Sequence, residues 1–172
     1  MEFNELIRTR ISVRNYDQNK PVLTETLERI LEAGRLAPSA VNYQPWKFVV
    51  VSSPAMLGKV RACYDRDWFK EAPHVLIVVG FKDQAWKRSF DGLNSLETDM
   101  AIAMTHLILA AENEGVGTCW IEHYNPAILR EVLNLHENQV VYGITPLGYP
   151  KPGYVKNLKK NRKPLNEIVE YL

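Results

Sequence analysis

A chain of 172 residues, 46% hydrophobic and 24% charged, has the length of one domain (residues 1–172) and the composition of a soluble globular protein with enough material for a core. A formal charge of +1 argues against a dedicated nucleic-acid binder, and two cysteines without CxxC spacing offer neither a disulfide framework nor a zinc site. The N-terminal MEFNELIRTR lacks an apolar signal core, and the longest apolar run, Val75 to Phe81, is too short to span a bilayer. A reducing, cytoplasmic setting is therefore expected.

Phe3, Leu6 and Ile7 fall at i, i+3 and i+4 and predict a short helix over 2–9. The basic stretch R8-T-R-I-S-V-R-N-Y16 follows. In an extended chain side chains alternate, so Arg10, Ser12 and Arg14 share one side. Two guanidinium forks and a hydroxyl suit a phosphate or carboxylate. A solvated turn is the plainer reading of those residues taken alone.

Thr24 is expected to cap a helix carrying Glu25 at its positive end, with Leu27, Ile30, Leu31 and Gly34 as one stripe ending before Pro38. The proline-bounded loop Ala37–Trp46 leads into a strand over 47–52. Pro54 opens a helix with Met56, Leu57, Val60 and the stem of Arg61 as its apolar spacing. Val75–Gly80 reads as a strand covered on both faces. Residues 82–94 show no period and are expected as a mobile loop or a broken helix over a site.

Ser95–Glu114 is the strongest helix, its apolar face formed by Met100, Met104, Leu107, Ile108 and Ala111 and its end set by Gly115 and Gly117. A strand over 118–122, a helix from Pro126 to about Leu133 and a strand over 140–148 complete the pattern. The tail Lys151–Pro164 is basic and free of acids, and residues 165–171 are expected as a last helical turn or strand. Strands interleave with helices in an α/β or α+β arrangement. The helix over 100–111 carries more apolar surface than one small sheet covers, which predicts a homodimer packed across a two-fold.

Common chemical signatures are missing: no GxGxxG, no phosphate loop, no GxSxG elbow, no HExxH and no metal pattern among the four histidines. A Cys119–His123 nucleophile pair would be separated by about 13 Å along one strand. His106 reads as a core or interface residue. An anionic cofactor would need the cations at 8–14 and 156–163.

R10-I-S-V-R14, A37-P-S-A-V-N-Y-Q-P-W46, G115-V-G-T-C-W-I-E122, Leu147–Pro150 and R162-K-P-L165 together resemble, in order and spacing, the nitroreductase family of FMN-dependent NAD(P)H oxidoreductases, of which this would be a short member. The resemblance implies an α+β three-layer sandwich, a mostly antiparallel sheet flanked by helices, in an intertwined homodimer with FMN at the interface. Carried over by position, Arg10 and Ser12 would hold the FMN phosphate with Lys160 and Arg162. Arg14 would lie at the pyrimidine edge as an electrostatic aid. Pro38, Ser39, Ala40, Asn42 and Gln44 would border the flavin from the other subunit, and Ile121, Glu122 and His123 would run beside it.

The implied activity is hydride transfer from NADH or NADPH through flavin N5 to a nitroaromatic, quinone or other small electron-poor acceptor, in a ping-pong sequence with no side-chain acid or base. The chain departs from the family at Ile11, where a second arginine is common, at Glu122 and His123, where small residues are common, and at 66–70, which has no match. Two alternatives stand beside this one: an FMN-binding or storage protein without nicotinamide turnover, and a nucleic-acid or partner-binding role for the basic tail.

Overall fold

The computed structural model describes residues 1–172. It is a four-stranded antiparallel sheet in the order β1-β2-β4-β3, formed by β1 (Trp46–Val51), β2 (His74–Phe81), β3 (Gly117–Thr118) and β4 (Gln139–Gly148). The apolar run of β2 puts it at the centre, buried from His74 to Gly80. Its alternating side chains feed two cores. Leu76 and Val78 pack with α2 (Thr24–Arg35) and α5 (Leu96–Asn113). Val75, Ile77 and Val79 pack on the other face with α3 (Pro54–Arg61) and α6 (Pro126–Val132). Helices on both faces of one sheet make the three layers that the resemblance implies.

α5 is the axis of the first core. Met100, Met104, Leu107 and Ala111 are fully buried, each of the larger ones stabilising the fold by about 1.5–3 kcal/mol. Ala101, Ile102, His106, Leu109 and Ala110 on its other side are only half-buried. Gly34 lets α2 lie close against it: a Cβ there would come within 2.6 Å of Leu107 Cδ2. Gly115, at φ 71°, ends the helix in a left-handed conformation.

Several expectations are corrected. Thr24 is the first residue of α2 rather than its cap; Leu23 takes the cap position without a side-chain bond. The helix α1 (Phe3–Thr9) forms, yet Phe3 and Ile7 are exposed and it buries no residue. The strand expected over 118–122 is shorter. β3 stops at Thr118 because the Cys119 N–H donates to the Thr145 hydroxyl at 3.0 Å, and pairing resumes only as a single bridge between Ile121 and Ile144.

Residues 82–94 form no helix. Paired turns fold them back, with an Arg88–Asp91 ion pair, a bridge between Lys87 and Asn94, and the Ser95 N–H on the Trp86 carbonyl. An unexpected helical turn, α4 (Asp67–Lys70), buries Phe69. The tail over 151–164 has neither helix nor strand, and Leu165–Glu167 is a 3₁₀ turn.

Candidate functional site

The basic stretch is fixed in extended form by the sheet edge. Ser12 bridges Thr118 in parallel, and the Val13 N–H donates to the Thr118 carbonyl at 2.7 Å. Val13 turns inward onto Tyr16 and Ala72, and the bare Gly117 backbone leaves it room, since a Cβ there would lie 3.0 Å from Val13 Cγ1. Alternation then sends Arg10, Ser12 and Arg14 the other way. All three meet at the buried Cys119. Burial pushes its thiol up, while the Arg14 and Arg10 charges and hydrogen bonding with Ser12 and Arg14 oppose that rise. The Arg14 guanidinium also sits 5.8 Å from the Trp68 ring centroid.

The C-terminal tail brings more cations to the same place. Lys160 Nζ donates to the Ile7 carbonyl at 3.1 Å. Its ammonium is pushed below the ordinary lysine range, first by partial burial and then by the charges of Arg10, Arg162 and Lys156, with Glu112 acting against them. Like charges gathered this way are unfavourable until an anion joins them. Neither Arg10 nor Arg162 pairs with a carboxylate, whereas Arg29, Arg35 and Arg88 on the outer surface each do. Donors of this kind, drawn from both ends of the chain, have the chemistry to bind an anion.

The loop after α2 is a second centre. Ala40–Asn42 is a 3₁₀ turn, and Val41, Asn42 and Gln44 have φ of 45°, 59° and 50°. Left-handed backbone is costly for a β-branched residue such as Val41, about 1–3 kcal/mol, and persists only where its surroundings enforce it. The enforcing bonds are present. The buried Asp99 of α5 accepts the Ala40 N–H at 2.8 Å and the Ser95 hydroxyl at 2.7 Å. Ser39 accepts the Asn42 N–H on its carbonyl and the Gln44 N–H on its hydroxyl, and the Gln44 amide donates to the Asn42 carbonyl. Pro38, Asn42 and Gln44 are exposed at the rim.

Ile121 is buried in the sheet, while Glu122 and His123 are exposed and part company. Glu122 faces a cavity of about 710 Å³ lined by Lys82, Lys87, Leu96, Met100 and Tyr142. The Tyr142 phenol is raised by burial and by the Glu122 and Glu97 carboxylates. His123 lines a separate cleft with Cys63 and Tyr124, where burial pushes the Cys63 thiol up to about 11, away from nucleophilic character. The backbone N–H groups of Glu122 and His123 donate to no protein group.

The structure thus brings Arg10, Ser12, Arg14, Lys160 and Arg162 together, and places Ser39, Ala40, Asn42 and Gln44 elsewhere. Asp99, which holds the loop, and Glu112, beside the cations, are thirteen residues apart on α5, about 20 Å along its axis. Sequence reading missed Asp99 and Glu112, two acids on the buried face of an apolar helix, and it missed Lys82 and Lys87.

The Nitroreductase family model matches residues 7–66 and 54–149. An Archaeoglobus fulgidus protein named "Putative NADH dehydrogenase/NAD(P)H nitroreductase" is 35% identical over 151 residues, covering 86% of this chain and 84% of its own length. An iodotyrosine deiodinase of Thermotoga neapolitana is 29% identical over 185 residues, covering 89% of this chain and 92% of its own. The crystal structure of a nitroreductase family protein from Clostridium difficile 630 superimposes with a TM-score of 0.91 at 33% identity, covering 99% of this chain and 98% of that one.

Proposed function

The chain belongs to the nitroreductase family, and from that premise we propose that it is an FMN-dependent oxidoreductase. In this reading it passes electrons from NADH or NADPH to a small electron-poor acceptor by a ping-pong sequence, as a homodimer. The observation that carries the proposal is the convergence of Arg10, Lys160 and Arg162, with no carboxylate paired to either arginine. A phosphate monoester brings close to two negative charges and three acceptor oxygens, which relieves that repulsion.

When bound, FMN supplies hydride acceptance at N5 and return of the two electrons to an acceptor. The protein's residues bind and bias it. Arg10, Lys160 and Arg162 take the phosphate, and Ser12 donates its hydroxyl. Arg14, stacked near Trp68, favours negative charge at the pyrimidine edge. The free N–H groups of Glu122 and His123, next to the buried Ile121, are donors for the ring's polar rim. Pro38, Ser39, Ala40, Asn42 and Gln44 serve from a second copy. Exposed Leu36, Val41 and Tyr43 around that loop, and Phe3 and Ile7 on α1, are the apolar surface that a second copy would cover.

The test is an anaerobic titration of the FMN-loaded protein with NADH and with NADPH, followed by 4-nitrobenzoate, a benzoquinone or an iodophenol. The expected result is loss of the oxidised-flavin band with at least one nucleotide and its return with at least one acceptor. A flavin that stays oxidised with both nucleotides would overturn the reductase and leave an FMN-binding protein without turnover.

A further inference from the structure

Glu112 lies in the last turn of α5 and is only 4% exposed. Burial disfavours its charge, and so does its place, because the C-terminal end of a helix is the negative end of the dipole. One side chain answers it: Lys156 Nζ donates to Glu112 Oε1. Lys156 belongs to the tail, four residues before Lys160 and six before Arg162. That tail has no helix or strand of its own across 151–164.

Lys151 is tied down by Asn15 and Glu71, and Tyr154 packs beside Val13 and Tyr16. Past Tyr154 only two hydrogen bonds join the tail to the rest of the chain. They are Lys156 to Glu112 and Lys160 to the Ile7 carbonyl. Without the first, one ammonium–carbonyl hydrogen bond is left to tie the segment bearing Lys160 and Arg162 to the rest of the chain.

We propose that Glu112 is a positioning residue for the phosphate cradle: through Lys156 it docks the C-terminal tail so that Lys160 and Arg162 face Arg10. The inference rests on the FMN reading above and adds a linkage. Tail docking and phosphate binding are one equilibrium, so a bound phosphate tightens the tail and a tethered tail raises phosphate affinity.

The experiment compares FMN with riboflavin, which lacks only the phosphate, by fluorescence titration of the apoprotein. It uses wild type, Glu112→Gln, Lys156→Met and the double variant, with trypsin cleavage of the tail followed alongside. Wild type is expected to bind FMN more tightly than riboflavin. Each single variant is expected to lose about tenfold of that preference with an unchanged riboflavin Kd, about 1.4 kcal/mol. The double variant should be no worse than either single one, and in wild type FMN should slow trypsin at Lys159–Lys163.

A Glu112→Gln protein that keeps the full FMN preference, or loses FMN and riboflavin equally, would overturn the inference. A wild-type protein that shows no preference would overturn the cradle itself, and with it the cofactor reading.

Discussion

His74 shows what a single buried side chain commits the protein to. The Val22 N–H donates to Nε2 at 3.0 Å, so that nitrogen keeps its lone pair, and the ring carries its proton on Nδ1, toward Ser52 Oγ at 2.7 Å. Burial lowers its pKa below the ordinary value. A histidine with a depressed folded pKa stabilises the fold fully above its unfolded value near 6.5, and the contribution is lost as the pH falls and protonation breaks the Val22 bond. The paired surface carboxylates Glu32, Asp65, Asp91 and Glu114 are held below their usual range and titrate lower still. Urea unfolding should therefore show stability falling between pH 7 and 5, with a shallower fall in His74→Gln. Equal slopes in the two proteins would remove His74 from the account. At this scale the sequence was legible where period-2 alternation set direction, as for Arg10, Ser12 and Arg14. It was not legible for Asp99 and Glu112, because an acid on an apolar stripe does not announce the distant donor that satisfies it.

The elements follow the hydrophobic pattern closely where burial is continuous, as in β2 and α5, and less closely where a side chain competes with the backbone. Thr145 is such a competitor: its hydroxyl takes the Cys119 N–H and cuts β3 to two residues, an event that no local pattern around 118–122 encodes. The close approach of α2 to α5 was half visible, as a glycine within an apolar stripe. Gly34→Ala places a Cβ within 2.6 Å of Leu107 Cδ2 and 3.0 Å of Phe48 Cε2. This overpacking should cost about 1–3 kcal/mol, read as a lower urea midpoint with an unchanged slope. Asp99→Ala tests the other end of α5. It strands the Ala40 N–H and frees a strained loop, and should cost about 1–3 kcal/mol while raising proteolysis between Leu36 and Trp46. A loop that remains resistant would show that the left-handed residues hold themselves.

For the whole molecule the decisive fact is the distance between the two groups of site residues. The arginines and the tail gather beside Glu112, and the strained loop hangs from Asp99, about 20 Å away along one rigid helix. In the proposed homodimer, a cleft that uses both groups would be made from two chains, with the cations of one facing the loop of the other. This predicts complementation. Arg10→Ala and Asp99→Ala chains should each bind FMN poorly as homodimers. Mixed by co-expression or refolding, half of the dimers become hybrids, and each hybrid holds one cleft built from the intact arginines of one chain and the intact loop of the other. About a quarter of all clefts should then recover wild-type FMN affinity, counted as two-fold related sites in a closed dimer. If the cofactor is instead held within one chain, every cleft in the mixture carries one lesion and none recovers. FMN stoichiometry of the mixed sample by equilibrium dialysis, with sedimentation to count the dimers, decides between the two.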